Sequence, residues 1–417
     1  MLWMSGRRVA ITGLGLVTPL GIGLDTLWDG LMAGRSGVRP AEGFDPGDMP
    51  TNHFAQVPAI DFDERLEPRK AALWSMASRL SVYSGMLAAE DAGIKAHDLP
   101  PTRTGVILGT GYGCVYDFEE HFRRHFDKGW RRGKPVAVPK MMPSAPASQL
   151  AIHFGARGLN ITVSTACSSG AIAAGLAAER IRSGELDACV TGGVDYIVND
   201  SIASAWNALR VLSRVNDPTA SRPFSADRQG LVLGEGAAIL ILEEWEAARA
   251  RGAHIHAELA GVGATNDAVN IVGPDPKGEI EAIQMALAGA GITPDDIDYV
   301  NAHGTATVAN DTNESLVLKE VFGERAYRIP VSSIKGHLGH TMGASGAIEI
   351  AATALALEHQ RLPPTLHFTP GDPDCDLDYV PEGARDHEAT YAMSNSFGFG
   401  GQNSVLVLKR ATPSRRA

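Results

Sequence analysis

The feature that most constrains how this chain can fold is an internal repeat. Ala-Gly-Ile at Ala92 to Ile94 precedes Val106-Ile-Leu-Gly-Thr110, and Ala-Gly-Ile at Ala290 to Ile292 precedes Val300-Asn-Ala-His-Gly-Thr305. Both stretches read as a helix end, a turn and a buried strand. Ser-Gly-Ala-Ile opens an alanine-rich helical stretch at Ser169 and again at Ser345. A glycine turn feeding a strand of alternating β-branched residues and leucine occurs at Gly234 to Leu242 and at Gly400 to Leu408. Three matches in one order imply two homologous halves, placed at 1–252 and 253–417. The spacing between partners shrinks along the chain, so the first half carries extra sequence, and residues 112–150 are assigned to an inserted cap. Strands alternate with helices in each half, which predicts mostly parallel sheets covered by helices, the two halves stacking in layers. No Pro/Ser-rich linker divides them, since the turn from Arg249 to His254 is short, so one compact unit is expected.

With 417 residues, 44% of them apolar and 20% charged, the chain is long enough for a large core and is not a disordered polymer. Lys and Arg number 37 against 48 Asp and Glu, a net charge of −11. That balance opposes nonspecific binding to nucleic acid or to anionic membranes, and neither is expected as a partner. The opening MLWMSGRRVAITGLG has no apolar run of signal-peptide length. No stretch reaches the roughly 18 apolar residues of a membrane span, so a cytoplasmic protein is expected. The four cysteines are scattered without a CxxC pair, which indicates neither a disulfide framework nor a metal site.

One cysteine has different company. Asn160-Ile-Thr-Val-Ser-Thr-Ala-Cys-Ser-Ser-Gly170 reads as a strand, a sharp turn and a helix that starts beside Cys167. Free amides and the helix dipole at that position favour a thiolate, and the small neighbours leave the sulfur approachable. On this stretch alone a buried structural cysteine explains the residues equally well. His303 sits at a strand end in Asn301-Ala-His-Gly-Thr-Ala-Thr307, and Lys335, His337 and His340 lie in Ser332-Ser-Ile-Lys-Gly-His-Leu-Gly-His-Thr-Met-Gly-Ala-Ser-Gly346. The repeat relates the two Ser-Gly-Ala-Ile helices, so Cys167 and His340 are expected on related edges of the halves. Thr110 and Thr305 are related in the same way, which turns His303 toward the same cleft. Ser394-Asn-Ser-Phe-Gly-Phe-Gly-Gly-Gln-Asn403 is a glycine turn whose exposed N–H groups suit an oxyanion over Cys167.

Taken in order, TACSSG, NAHGTAT, SIKGHLGHTMGASG and NSFGFGGQN resemble the β-ketoacyl-carrier-protein synthases of the thiolase superfamily. The likeness is to the synthase II type and to the related ketosynthases of type II polyketide systems, and it runs from about Arg8 to Arg410. It implies an α/β thiolase-like fold of two duplicated mixed-sheet halves. It also implies an acyltransferase in which Cys167 takes an acyl group from carrier-protein phosphopantetheine, while His303 and His340 bind a malonyl thioester and promote loss of CO2 and condensation. By the same resemblance, Lys335 supports the histidines, Thr305 and Thr307 hold the pantetheine arm, and the gating Phe399 shares an oxyanion hole with Cys167. Arg69, Lys70 and Arg210 are implied to dock the acidic acyl carrier protein, and the basic run from His121 to Lys134 is read either as a further part of that docking surface or as a solvated cap face or a dimer contact. No permanently bound cofactor is implied, and the family's dimers leave a homodimer and a heterodimer with a ketosynthase-like paralogue both open. His337 is assigned a structural place.

Two departures bear on specificity. Tyr112, in Gly109-Thr-Gly-Tyr-Gly113, stands where the family usually has a smaller aliphatic residue lining the acyl tunnel, which points to an altered acyl preference. Val-Asn-Ile-Val at 269–272 replaces the family's Tyr-His-Met-Thr and removes a hydroxyl near the pantetheine, a loss of about 1 kcal/mol. Two other readings stand beside the elongating ketosynthase. One is a chain-length-factor-like partner without catalysis, which the presence of Cys167, His303, His340 and Lys335 opposes. The other is a thiolase-like condensation of coenzyme A thioesters, which the two-histidine pattern opposes.

Overall fold

A computed structural model describes residues 6–411, with the side chain of Arg132 left out. The first half contains strands β1 (Val9–Thr18), β2 (Thr104–Gly109), β3 (Asn160–Val163), β4 (Ala188–Asp195) and β5 (Gly236–Glu244). Its main helices are α1 (Met76–Asp91), α2 (Val115–Lys128), α3 (Ala145–Phe154), α4 (Ser169–Arg182) and α5 (Asp200–Leu209). The second half contains β6 (Ala257–Asn266), β7 (Tyr299–Asn301), β8 (Val331–Ser332), β9 (Tyr391–Gly398) and β10 (Gln402–Arg410). Its main helices are α6 (Pro276–Ala290), α7 (Val308–Phe322) and α8 (Ser345–His359).

The repeat is visible in the strand order. The first half runs β3-β2-β4-β5-β1 and the second β8-β7-β9-β10-β6, the same permutation of five successive strands. The matched segments fall on equivalent elements: β2 with β7, α4 with α8, β5 with β10. The expectation of mostly parallel sheets needs correction. In each half the second strand lies parallel to the third and fourth, but the fifth runs antiparallel to both the fourth and the first. A fully buried antiparallel strand has the same continuous apolar pattern as a parallel one, so pattern alone does not give its direction. The half-sheets meet edge to edge where Ala10 and Ile11 face Glu258 and Ala257.

Helices α4 and α8 lie between the two half-sheets, each touching strands of both, while α1 and α3 cover the outer face of the first and α6 that of the second. Three apolar cores fill the spaces between these layers. The Ser-Gly-Ala-Ile repeat has a packing reason. A Cβ on Gly170 would lie 2.8 Å from the Gly343 carbonyl oxygen, and one on Gly346 would lie 2.8 Å from Ala171 Cβ, so the two central helices approach as closely as they do only with glycine at both places. The same logic exposes a repeat that sequence inspection missed. A Cβ on Gly15 of β1 would overlap the Ser84 carbonyl of α1, and one on Gly263 of β6 would overlap the Ala282 carbonyl of α6. The inserted cap between β2 and α3 consists of α2 and the short helix Ala137–Met141. Among the described residues no helix is long and apolar enough to cross a membrane.

Candidate active site

Cys167 occupies a single 3-10 turn, Ala166–Ser168, between β3 and the first residue of α4. The turn forces Ala166 to φ +50°, a left-handed conformation that costs an L-residue about 1–2 kcal/mol. Ser169 holds it in place, accepting from the Thr165 N–H (2.9 Å) and donating to the Ala166 carbonyl (2.7 Å). The second half repeats the turn at Met342–Ala344, again with its first residue, Met342, at φ +50°. Cys167 is thus the counterpart of Gly343.

The two turns pack against each other, and Cys167 faces a cavity of about 250 Å³. Its lining includes Cys167, His303, His340, Thr305, Thr307 and Phe399. One ring nitrogen from each histidine and the Cys167 sulfur all lie within 4.8 Å of one another. The two imidazoles meet edge to face, with centroids 5.3 Å apart and planes at 84°.

Hydrogen bonding assigns each imidazole a tautomer. His340 Nδ1 accepts from the Met342 N–H (3.3 Å) and contacts Ser345 Oγ (3.0 Å), so its proton sits on Nε2, which has no partner among the described residues. Lys335 Nζ lies 3.4 Å from His303 Nδ1, and an ammonium can only donate, which leaves the His303 proton on Nε2 as well. Burial, reinforced by the positive charge of Lys335, holds both rings well below the ordinary histidine range, so both are neutral donors at neutral pH. Lys335 also donates to the His303 carbonyl (2.6 Å) and pairs with Glu349. Both members of that pair are 2% exposed.

The thiol departs from expectation. Burial pushes Cys167 up to about 11, while the Lys335 charge and a hydrogen bond from the Phe399 backbone N–H pull it the other way without overcoming desolvation. The expected thiolate at a helix start therefore gives way to a thiol at rest. The other cysteines, Cys114, Cys189 and Cys375, are buried as well.

Sequence reasoning missed the acids that build this site. Glu349, four residues beyond Ser345 in α8, is the one charge in the buried run of that helix before Glu358, and that was its available signal. Asp195, at the end of β4, accepts from the N–H groups of Gly111 (2.9 Å), Tyr112 (3.0 Å) and Gly343 (2.7 Å) and from the Thr110 hydroxyl (2.8 Å), tying the cap entrance to the second-half turn. Glu314 accepts from the N–H groups of His303 and Gly304, both at 2.8 Å. Glu279 lines the cavity with 0% exposure, and neither of its carboxylate oxygens makes a hydrogen bond of normal length among the described residues.

Other expected residues are distributed more widely. Thr305 and Thr307 share a 2.8 Å hydroxyl contact, and Thr307 also caps α7. Arg210 is exposed at the end of α5, between Leu209 and Val211, which both line the cavity. Arg69 and Lys70 are exposed on the short helix Pro68–Ala71, where Lys70 pairs with Glu67 at 2.7 Å. Tyr112 is 37% exposed and does not line the cavity, although its phenol is raised by burial and then by the neighbouring Asp195 and Cys167. His337 is bound only within the fold, its two ring nitrogens facing the carbonyl oxygens of Arg35 (2.9 Å) and Pro364 (3.0 Å). In the cap run, Arg123 pairs with Glu119 and Asp200, and Lys134 with Glu120.

The buried pair makes a stability prediction. Lys335→Met strands Glu349 uncompensated in the core and is expected to cost about 3–5 kcal/mol in denaturant unfolding, with the Lys335→Met/Glu349→Met double variant recovering most of it. Equal losses in the single and double variants would show that the pair is not the cause.

A duplicated α/β fold that sets a cysteine at a helix start against two neutral imidazoles defines a thiolase-like acyltransferase. The descriptions "Beta-ketoacyl synthase, N-terminal domain" and "Beta-ketoacyl synthase, C-terminal domain" match residues 6–248 and 256–369. A 3-oxoacyl-[acyl-carrier-protein] synthase 2 of Staphylococcus aureus (strain N315) is 39% identical over 97% of this chain and 99% of its own. The ishigamide ketosynthase/chain length factor superposes with a TM-score of 0.90 at 34% identity, covering 97% of this chain and 100% of that one. A type II PKS ketosynthase solved with its acyl-carrier protein gives 0.90 at 33% identity over the same shares. This chain belongs to the β-ketoacyl synthase family.

Proposed function

We propose that Cys167, His303 and His340 carry out decarboxylative condensation of an acyl thioester with malonyl-acyl carrier protein, giving 3-oxoacyl-acyl carrier protein in fatty-acid or polyketide elongation. The observation that carries this reading is the convergence of one sulfur and two ring nitrogens within 4.8 Å on the wall of a single cavity. In the first half-reaction the Cys167 sulfur attacks the acyl carbonyl, the carrier thiol leaves, and the thiol proton passes to it. The malonyl thioester then enters, and its carbonyl oxygen accepts from Nε2–H of both histidines. Carbon dioxide departs with its bonding electrons left in the enolate, whose charge the two neutral donors stabilise without protonating the carbon. The enolate carbon attacks the acyl-Cys167 carbonyl. The resulting oxyanion takes the backbone N–H of Phe399, already aimed at the sulfur, and that of Cys167. Collapse expels the Cys167 sulfur, which regains a proton. These steps call on side chains, two backbone N–H groups and substrates carried by phosphopantetheine.

Thr305 and Thr307 hold the pantetheine arm in this reading, and Lys335 helps to keep both imidazoles neutral and holds the His303 proton on Nε2. The exposed apolar side chains of Leu209 and Val272 line the cavity, and the exposed Arg210 follows Leu209 directly in the chain. An apolar rim with a cation suits the acidic carrier protein, and Arg69 and Lys70 supply further positive charge. The exposed aromatic face of α2, Phe122 at 50% and Phe126 at 80%, supports a dimer through the cap, with an identical or a paralogous mate, in the cytoplasm. The halves 1–252 and 253–417 act as one unit in it. Tyr112 is assigned to the acyl chain on the side of Cys167 away from the cavity, and Tyr112→Gly should lengthen the products seen by mass spectrometry; an unchanged profile removes that assignment.

The two half-reactions should respond differently to pH. A thiol raised to about 11 is ionised more as pH rises, so transfer of an acyl group to Cys167 should accelerate from pH 7 to pH 9. Imidazoles held well below their usual range stay neutral donors until the pH falls through those lowered values, so malonyl decarboxylation should be flat from pH 8 to pH 6. Rates of the two half-reactions measured separately over this range check both. An inflection in decarboxylation near the ordinary histidine pKa would contradict the neutral pair.

A further inference from the structure

A second convergence of ligating side chains lies where the two halves join. His254 and His256 precede β6 on an extended segment, two residues apart and therefore on one side of it. Glu358, near the end of α8, reaches both: one carboxylate oxygen is 3.0 Å from His254 Nε2 and the other 2.7 Å from His256 Nδ1. The three donor atoms lie within 4.8 Å of one another. They border a cavity of about 990 Å³ that shares no lining residue with the one holding Cys167.

We propose that His254 Nε2, His256 Nδ1 and the Glu358 carboxylate form a binding site for a divalent transition-metal ion, Zn2+ in the first instance. Two imidazoles and a carboxylate are a donor set that Zn2+ takes, with a fourth position left open toward the cavity. In a tetrahedron with Zn–N bonds of about 2.0 Å, neighbouring donors stand ~3.3 Å apart, and the Glu358 oxygens now lie 3.0 and 2.7 Å from the two ring nitrogens. The ion takes the places of the protons now shared with Glu358, and these pass to solvent.

The surroundings are those of a built site. His256 Nε2 donates to Asp91 at 2.8 Å, which fixes the ring's orientation and leaves Nδ1 as the ligand. Asp91 is itself held by the Leu14 N–H at 2.8 Å. The side chain of His256 is only 3% exposed, whereas that of His254 is 56% exposed and gives the ion a way in. Of the three arginines lining the cavity, Arg8, Arg249 and Arg410, the first pairs with Glu258 and the second with Glu246. Asp91 comes from the first half, Glu358 from the second and the histidines from the junction, so a bound ion clasps the halves together beside the pairing of β1 with β6.

Calorimetric titration of the chelator-treated full-length protein with Zn2+ tests this, using wild type and Cys167→Ala side by side. The expected result is one ion per chain bound equally by both, with affinity lowered at least ~100-fold in His254→Ala and ~10–100-fold in Asp91→Asn. Zn2+ should raise the melting temperature of wild type and not that of His254→Ala, whose own melting temperature without metal should match wild type because the side chain is exposed. No binding, binding indifferent to His254→Ala, or binding lost in Cys167→Ala, which would put the ion on the catalytic cysteine, each overturns the proposal.

Discussion

Cys167→Ala should eliminate condensation while leaving loss of CO2 from malonyl-carrier protein in place. In the proposed mechanism Cys167 holds the acyl chain covalently, so its removal is expected to lower the condensation rate by at least ~10⁴-fold. The fold should tolerate the change, because the side chain shrinks by one buried atom at a cost of about 1 kcal/mol. Decarboxylation survives because it needs the two Nε2–H donors, and neither depends on the sulfur for its tautomer: His340 is set by the Met342 N–H and Ser345, and His303 by Lys335. The check is acyl loading followed by intact-protein mass spectrometry, with released CO2 measured in parallel. A Cys167→Ala protein that still gains the mass of an acyl group would place the nucleophile elsewhere.

His340→Ala should produce the opposite pattern. Its Nε2–H is buried with no partner among the described residues, a donor kept for an oxygen that arrives with the substrate. Removing one such donor is expected to slow decarboxylation by ~10²–10³-fold. Acyl transfer onto Cys167 should persist, since its oxyanion is served by the backbone N–H groups of Phe399 and Cys167. Measured together, the two variants separate the half-reactions. If His340→Ala lowers loading and decarboxylation by the same factor, His340 acts on the shape of the pocket and not on the enolate.

Much of the site was legible because the repeat carries geometric information. Matching Ser169 with Ser345 placed Cys167 and His340 ahead of equivalent helices, and the structure puts the turns that precede those helices face to face. The identity of the second ring, His303, followed from its position at the end of the strand equivalent to β2. Tyr112 was less accessible to this reasoning. Its backbone N–H is bound by Asp195, but the direction of its ring depends on Trp206 and on the cap, which come from elsewhere in the chain. The acids were hidden for a related reason. Glu349, Asp195 and Glu314 are each 0–1% exposed, and a carboxylate read locally looks like a surface residue until the fold supplies the donors that make its burial tolerable.

Local pattern determined which segments become buried strands and helices, that the chain is made of two halves, and which side chains have the chemistry to transfer an acyl group, because periodicity, turn residues and nucleophile spacing are properties of short stretches. Tertiary structure alone decided the direction of the fifth strand in each half, the protonated state of Cys167, the tautomers of both histidines and the meeting of His254, His256, Glu358 and Asp91. Each of these depends on which distant groups are brought within a few ångströms and how much water is driven out between them.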